Sequence, residues 1–312
     1  MALSNNHRIR LKSSARTDTG MQRPHNEDSV HLWAEDQHAL AVIADGMGGA
    51  VAGEEASRIA IETVSELFAR PLLANSTSYD GDGDRDLAAR LVETVREANT
   101  NIIARAISRP ELKGMGTTLT LAFARHEEVM LAHVGDSRAY LVDGHDSGIV
   151  QLTADHSFVQ ALVDAGHITS EEADNHPMRN VLYRALGQSH DLDVDLISGV
   201  RLNVGDRIVL CSDGLTLHVK PHEIATIVMD NDDPDHASRT LIDIANQRGG
   251  KDNISVVVIV AVASASNYHA NHAEHPLETL SYEDDDDPTL PMTQARAPKP
   301  RYTTTVGAPF SF

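Results

Sequence analysis

Short apolar runs separated by polar segments recur along the chain, and several contain the β-branched residues that favour strands. The clearest run, residues 39–44, is apolar at every position and ends at Asp45. A run of this length and kind is typical of a buried strand. The pattern predicts strands at residues 29–33, 39–44, 119–124, 129–134, 138–142, 149–152, 207–211 and 254–262.

A second pattern, with apolar residues three and four positions apart, predicts amphipathic helices. It covers residues 54–70, residues 85–107 and shorter stretches near residues 221–229 and 234–247. Residues 155–187 favour short helices and are less apolar, which marks a candidate subdomain. The linkers at 126–128, 135–137 and 143–147 are of hairpin length, so the strands they join are predicted to be antiparallel. Runs of strands and runs of helices without regular alternation indicate an α+β fold.

Composition changes near residue 264, where acidic residues and prolines among threonines replace the apolar runs. We therefore expect one domain over residues 1–263 and a disordered tail over residues 264–312. His269, His272 and His275 are spaced as metal ligands can be, but histidines in a flexible tail are more often incidental.

Residues 75–84 form a polar stretch that resembles the start of a calcium loop, with Asp80, Asp82 and Asp84 at alternate positions. Arg85 stands where such a loop needs glycine, and Leu91 where it needs the closing glutamate. This stretch is therefore predicted to be a solvated loop.

The chain carries a formal net charge of −20, from 46 acidic and 26 basic residues. This balance argues against a nucleic-acid or anionic-membrane partner and suits a site of carboxylates filled by cations. The only cysteine, Cys211, excludes an intrachain disulfide. No apolar run is long enough to span a bilayer, and the first residues lack the apolar core of a signal peptide. We expect a cytoplasmic monomer.

Asp45 follows a buried strand and precedes a glycine-rich turn, which is suitable geometry for a hard metal ion. On this segment alone, an Asx-type turn before a helix is the favoured interpretation. A dinucleotide fingerprint is excluded because Val51 occupies the place of its third glycine. A phosphate-binding P-loop is excluded because no lysine follows the glycines.

Four more aspartates lie at strand ends, and most have a glycine nearby: Asp28, Asp136, Asp213 and Asp252. If the sheets stack, these carboxylates converge with Asp45 and raise one another's pKa values by repulsion. Divalent cations remove that cost. A ligand set of oxygens without a histidine or cysteine group favours Mg²⁺ or Mn²⁺ over Zn²⁺.

Seven short motifs, in order over about residues 15–262, together resemble the bacterial form of the metal-dependent protein phosphatases of type 2C. They are Arg23-x-x-Asn26-Glu-Asp28, Ala44-Asp-Gly-Met-Gly-Gly49, Gly116-Thr-Thr118, Val134-Gly-Asp-Ser-Arg138, Asp155-His-Ser157, Ser212-Asp-Gly214 and Asp252-Asn253. The resemblance implies a four-layer α-β-β-α sandwich of two packed antiparallel sheets, with a small helical flap at about residues 155–187. It also implies two metal ions, and a third, weaker one in bacterial members.

Carried over to this sequence, the resemblance implies a role for each candidate residue. Asp45 would bridge both ions, with the Gly46 carbonyl on one of them, and Asp213 and Asp252 would bind the first ion. Asp28 would orient the hydration of the second ion, and Asp136 would bind the third. Arg23 would clamp the phosphate, since a guanidinium fork matches paired oxygens. The implied reaction is hydrolysis of phosphoserine and phosphothreonine on proteins by a water bridged by the metals, opposing a bacterial Ser/Thr kinase.

One departure from the family concerns the general acid. Eukaryotic members carry a histidine two positions after the bridging aspartate, where this chain has Met47, which cannot donate a proton. His25, His133 and His156 are candidates only because they lie near motifs. Cys211 sits in an apolar strand and is predicted to be a buried structural thiol. Two alternatives remain open, a catalytically silent phosphoprotein-binding regulator and a hydrolase of small phosphate esters.

Overall fold

The computed structural model describes residues 9–69 and 81–264. Its strands are β1 (Ile9–Asp18), β2 (Asp28–Glu35), β3 (His38–Met47), β4 (Gly116–Thr117), β5 (Leu119–Arg125), β6 (Glu128–Val134), β7 (Arg138–Val142), β8 (Ile149–Gln151), β9 (Asp195–Arg201), β10 (Arg207–Cys211) and β11 (Ile254–Ala263). Its helices are α1 (Ala50–Ala69), α2 (Gly81–Ser108), α3 (Phe158–Asp164), α4 (Ser170–Asp174), α5 (Asp213–Thr216), α6 (Pro221–Met229) and α7 (Pro234–Gln247).

The strands form two antiparallel sheets that pack face to face. One has the order β1-β11-β10-β7-β8, and the other has the order β2-β3-β5-β6-β9, with β4 beside β3. Side chains from both sheets, among them Ile43, Leu131, Ile208 and Val257, form the core between them. Helices α1 and α2 cover the outer face of the second sheet, and α5 to α7 cover the first. The predicted four-layer α-β-β-α sandwich is confirmed.

Residues 39–44 of strand β3 are apolar at every position because of where the strand lies. Leu40 and Val42 belong to the core under α1 and α2, whereas Ala41 and Ile43 belong to the core between the sheets. Since both faces of the strand are buried, no polar position alternates with the apolar ones. The buried strand carries the chain to Asp45 at the sheet edge.

Besides the two-residue β4, two strands were not predicted from the sequence, β1 and β9. Each lies at the edge of its sheet. Strand β1 alternates buried and exposed residues, and β9 is only half-buried along most of its length. Edge strands of this kind lack the continuous apolar run by which the interior strands are recognised.

The prediction that residues 135–137 form a hairpin is wrong. Strand β6 pairs with β5 and β9, whereas β7 pairs with β8 and β10 in the other sheet. This short linker therefore carries the chain from one sheet to the other. Gly135 makes the crossing with φ of +116°, a conformation that other residues adopt only with strain.

The predicted loop at 75–84 is also partly wrong, because residues 81–84 belong to α2. Residues 75–80 lie outside the described part of the chain, as does the tail from residue 265 with its three histidines. Helix α1 starts four residues earlier than predicted. Within residues 9–69 and 81–264, no helix has the length and apolarity needed to cross a membrane.

Candidate active site

All five candidate aspartates lie at one edge of the sandwich, where strands of both sheets begin or end. Asp28 opens β2 and lies opposite Asp45 near the end of β3. Asp136 lies between β6 and β7, and Asp213 follows β10. Asp252 lies two residues before β11, the neighbour of β10. Because these strands are antiparallel, the end of one and the start of its neighbour meet at the same edge.

Asp28 is buried and forms hydrogen bonds across the two sheets. Its Oδ2 accepts hydrogen bonds from Ser212 Oγ at 2.8 Å and from Ser255 Oγ at 2.7 Å. Burial, together with the charges of Asp213 and Asp252, raises the pKa of Asp28 to about 7 although both serines act in the opposite direction. The two hydroxyls therefore orient a carboxyl group that the other acids repel.

Asp45 is held through its backbone by the Gly116-Thr-Thr118 motif. Its N–H donates to Thr118 Oγ1 at 3.0 Å, and its carbonyl oxygen accepts from Thr117 Oγ1 at 2.8 Å and Thr118 N at 2.9 Å. Burial, and then the charges of the four other aspartates, raises the pKa of the Asp45 carboxyl well above its usual range. Next to it, Gly46 lies so close to the backbone of Gly53 that a Cβ atom would be 2.3 Å from the Gly53 oxygen.

Asp136 is placed by the crossing between the sheets. The Gly135 N–H donates to His156 Nδ1 at 3.0 Å, and the Gly135 carbonyl accepts from the His156 N–H at 2.7 Å. A Cβ on Gly135 would lie 2.5 Å from Thr118 Cβ, so the linker touches the residue that holds Asp45. Burial and the charge of Asp213 raise the pKa of Asp136 well above its usual range.

Asp213 and Asp252 are the last two of the five aspartates, which together we call the acidic edge. Arg23 lies beside them. Burial and the charge of Asp252 raise the pKa of Asp213 to about 6, against the opposite effect of Arg23. The Arg23 guanidinium donates to Asp252 Oδ2 at 2.7 Å. Burial works against the Arg23 charge, but the bond to Asp252 outweighs it and raises the pKa of Arg23.

The donor set of this edge fits hard divalent cations. It consists of carboxylates with a backbone carbonyl at Gly46, which are the ligands that Mg²⁺ and Mn²⁺ prefer. Four of the carboxyls have raised pKa values, so positive charge placed among them would relieve repulsion. No three His, Cys, Asp or Glu side chains of the described residues surround a common point at metal distance. The fit therefore rests on donor chemistry, and Arg23 forms an ion pair with Asp252.

A cavity of about 340 Å³ adjoins the acidic edge and runs beneath residues 155–187. Asp136 and Asp213 line one end, and residues of α3 and α4 line the other. Across its mouth Lys220 pairs with Asp174 of α4 at 2.7 Å. The two short helices thus form a wall beside the candidate site.

The side chains considered above for proton donation or nucleophilic attack are buried or hydrogen-bonded in ways that indicate a structural role. His133 is fully buried, and burial lowers its pKa to about 3, so its imidazole is uncharged at neutral pH, and both ring nitrogens lie within hydrogen-bond distance of Thr120 Oγ1 and the Ala154 carbonyl oxygen. Nδ1 of His156 accepts a hydrogen bond from the Gly135 N–H, and Nε2 of the same ring lies 3.1 Å from Asp195 Oδ2. Burial raises the pKa of the Cys211 thiol to about 12, as expected for a structural cysteine. Met47 Sδ accepts a contact from Gln188 at 3.8 Å.

Sequence reasoning assigned no role to Ser212, Ser255 or Asn253, and it considered His156 only as a candidate proton donor. Ser212 and Asn253 stand inside the quoted motifs, directly beside a candidate aspartate, and His156 stands inside another of the motifs. Adjacency to such a residue was the available signal. It identifies the position but not the partner, because each of these side chains acts on a residue far away in sequence.

A family model described as Protein phosphatase 2C matches residues 21–251 of the chain. The chain belongs to the protein phosphatase 2C family. Among its relatives, the serine/threonine protein phosphatase PstP of Mycobacterium tuberculosis is 39% identical over 285 residues, which are 91% of this chain and 51% of PstP. The chain thus spans about half the length of that relative. The serine/threonine phosphatase stp of Listeria monocytogenes is 37% identical over 250 residues, 80% of this chain and 95% of stp.

Solved structures of the 2C family share this architecture. The crystal structure of M. tuberculosis PstP has a TM-score of 0.70 and 38% identity, covering 82% of this chain and all of that one. A structure of the PstP catalytic domain in complex with two manganese ions has a TM-score of 0.68 and 38% identity, covering 81% of this chain and 99% of that one. The resemblance inferred from the motifs is confirmed.

Proposed function

We propose that this chain is a metal-dependent protein serine/threonine phosphatase, which hydrolyses phosphoserine and phosphothreonine esters on proteins. The observation that carries the proposal is the edge where four aspartates with raised pKa values meet beside Arg23. Carboxylates held in this way destabilise one another unless cations join them. Family membership and similarity to PstP and stp support the same activity.

Asp45, the Gly46 carbonyl, Asp213 and Asp252 would hold two divalent cations, Mn²⁺ or Mg²⁺. Asp28 would orient the hydration of one cation, and Asp136, near Asp213, would hold a third, weaker one. When bound, such ions activate water as a nucleophile near neutral pH and offset the charge of phosphoryl oxygens. The manganese ions in the PstP catalytic domain favour this assignment.

The side chains of this chain bind and orient the groups that react. Arg23 binds the phosphate through its guanidinium fork once it releases Asp252. Ser212 and Ser255 both donate to Asp28 Oδ2, so neither hydroxyl occupies its Oδ1. Hydrolysis forms a bond from a water oxygen to phosphorus and breaks the bond to the seryl or threonyl oxygen, which leaves with a proton. No phosphoenzyme is required, since Cys211 is fully buried and protonated.

The substrates of this reaction would be phosphorylated proteins. Ser/Thr kinases and their targets would be the natural partners. We place the activity in the cytoplasm, in a monomer whose catalytic unit is residues 1–263. The cavity beneath residues 155–187 would receive the part of a phosphoprotein that extends beyond the phosphate. This segment would therefore act as a flap that influences the choice of substrate.

The proposal is tested by comparing a phosphothreonine peptide with a small aryl phosphate, in Mn²⁺ and in EDTA. We expect turnover of both substrates only with metal. Asp45→Ala, Asp213→Ala and Asp252→Ala should each lower it by about 10²-fold or more, because each removes a charge that neighbours cannot replace. Each variant should also lose most of the thermal stabilisation that Mn²⁺ gives the parent protein.

The matched control is Asp243→Ala, an exposed aspartate on α7 away from the acidic edge. It should leave turnover and the response to Mn²⁺ at parental values. Appreciable turnover in Asp45→Ala at saturating Mn²⁺ would contradict the assignment of Asp45 as a metal ligand. Turnover of the aryl phosphate without the peptide would favour a hydrolase of small esters, and binding of the peptide without turnover would favour a silent regulator.

A further inference from the structure

Asn253 ties the loop that carries Arg23 to the loop that carries Asp252. Its Nδ2 donates to the carbonyl oxygens of Thr19 and His25, both at 2.9 Å. Its Oδ1 accepts from the Glu27 N–H at 2.8 Å. Asn253 is 5% exposed, so its side chain cannot exchange these hydrogen bonds for bonds to water. One amide group therefore closes residues 19–27 into a loop by its two ends.

The rest of residues 19–27 depends on the same neighbour. These residues form no strand or helix, and the Gly250 carbonyl accepts from Met21 N at 2.8 Å and Gln22 N at 3.2 Å. The two backbones approach so closely that a Cβ on Gly20 would lie 2.2 Å from the backbone carbonyl oxygen of Asp252. At the apex Arg23 is exposed except for its contact with Asp252. The position of Arg23 is thus set by the loop and not by packing of its own side chain.

We propose that Asn253 is a positioning residue for Arg23, and that it fixes the reach of this guanidinium toward the phosphate. The proposal rests on the function proposed above, in which Arg23 binds phosphate. A long exposed side chain loses conformational freedom when it binds a ligand. Anchoring the loop at both ends removes part of that cost before phosphate arrives. The amide is suited to this task because it offers two donors and an acceptor in one plane.

Two substitutions separate the hydrogen bonds from mere packing. Asn253→Asp keeps the size but places an oxygen opposite the carbonyls of Thr19 and His25, and Asn253→Ser removes the reach altogether. The probe is inorganic phosphate as an inhibitor of aryl phosphate hydrolysis in Mn²⁺. We expect its inhibition constant to rise about tenfold in both variants, equivalent to about 1.4 kcal/mol. Asn231→Asp, an amide that bonds the end of α6, is the matched control and should change nothing.

A double-mutant cycle shows whether Asn253 acts through Arg23. In an Arg23→Ala background, Asn253→Ser should no longer change the inhibition constant, because the group it positions is gone. Manganese affinity, measured by calorimetry, should stay near the parental value in Asn253→Ser. Hydrogen exchange of the amides in residues 19–27 should become faster, with the strands protected as before.

Each contrary outcome overturns a different statement. An unchanged inhibition constant in Asn253→Ser, with Arg23→Ala strongly impaired, overturns the role of Asn253 alone. A full effect of Asn253→Ser in the Arg23→Ala background, or a large loss of manganese affinity, shows that Asn253 acts on Asp252 instead. Failure of both variants to fold makes it a folding residue and also overturns the proposal. Parental turnover in Asp45→Ala would instead overturn the proposed function.

Discussion

The aspartates of the acidic edge show a conflict between stability and activity at the scale of single residues. Burial among like charges raises the pKa of Asp28 to about 7 and that of Asp213 to about 6. A core selected for stability alone would not gather such groups. The hydroxyls of Ser212 and Ser255 offset part of the cost at Asp28 without removing it. This local instability is what makes the edge receptive to cations.

This conflict predicts a pH-dependent effect of Asp28→Asn on metal-free protein. In the folded state Asp28 holds its proton up to about pH 7, whereas in the unfolded chain it releases it near pH 4. Unfolding therefore releases a proton between these values, and the parent loses stability as pH rises through this window. The variant carries no such group. In EDTA its melting temperature should match the parent near pH 4 and exceed it increasingly toward pH 8.

The comparison with the parent cancels contributions of groups that Asp28 does not influence, whereas the pKa of Asp45, which the charge of Asp28 raises, falls in the variant and adds to the expected difference in the same direction. Asp195→Asn provides a control of opposite kind. Burial opposes the charge of Asp195, but His156 and Arg184 outweigh it and lower its pKa to about 2. Its stabilising contribution is thus complete above about pH 4, and this variant should lose the same stability at pH 5 and at pH 8. A constant difference between Asp28→Asn and the parent over that range would contradict the assigned pKa.

At the scale of elements, the crossing between β6 and β7 is the feature that joins both sheets at the site. Gly135 makes the turn in the left-handed region and packs against Thr118. Thr118 in turn holds the backbone of Asp45. The linker therefore couples the position of Asp136 to that of Asp45, through contacts made by backbone and one threonine.

Gly135→Ala should consequently damage both folding and the site. The added Cβ would lie 2.5 Å from Thr118 Cβ, in addition to the strain of φ at +116°. Gly199→Ala is the matched control, since Gly199 has φ of +77° but open space around it. We expect a loss of about 1 kcal/mol for the control from backbone strain alone, and a clearly larger loss for Gly135→Ala. Urea denaturation measures the first effect, and manganese affinity measures the displacement of Asp136. Equal losses would show that Thr118 yields without consequence.

The interior elements could be predicted from the sequence because burial leaves a continuous signal. Strands β3, β6 and β10 are apolar on both faces, and Asp45, Asp136 and Asp213 lie at or just beyond their ends. The edge strands β1 and β9 have no such pattern, and the length of residues 135–137 cannot distinguish a hairpin from a crossing between sheets. The partners of Asn253, Ser212 and Ser255 are backbone or side-chain groups that only the fold brings near. Residue type and spacing thus indicated which aspartates belong to the candidate site, whereas its supporting hydrogen bonds required the structure.

At the scale of the whole molecule, the sandwich is complete at β11, which ends at Ala263. This strand lies between β1 and β10 and has buried residues over most of its length. The sequence beyond it has few apolar residues and an acidic run, a composition from which we predict no further core element. The boundary at residue 263 stays a prediction from composition and from the position of this strand.

Truncation after Ser264 tests that boundary. We expect the truncated protein to melt within about 2 °C of the parent, a change that corresponds to about 1 kcal/mol or less for a domain of this size. Hydrolysis of an aryl phosphate should be unchanged, because the acidic edge is formed by residues between Asp28 and Asp252. A matched truncation after Val256 removes most of β11 and should abolish folding, which verifies that the assay detects the loss of a core element. Aggregation or loss of basal turnover after Ser264 would mean that the tail packs on the domain. An effect confined to protein substrates would instead assign the tail to substrate recognition.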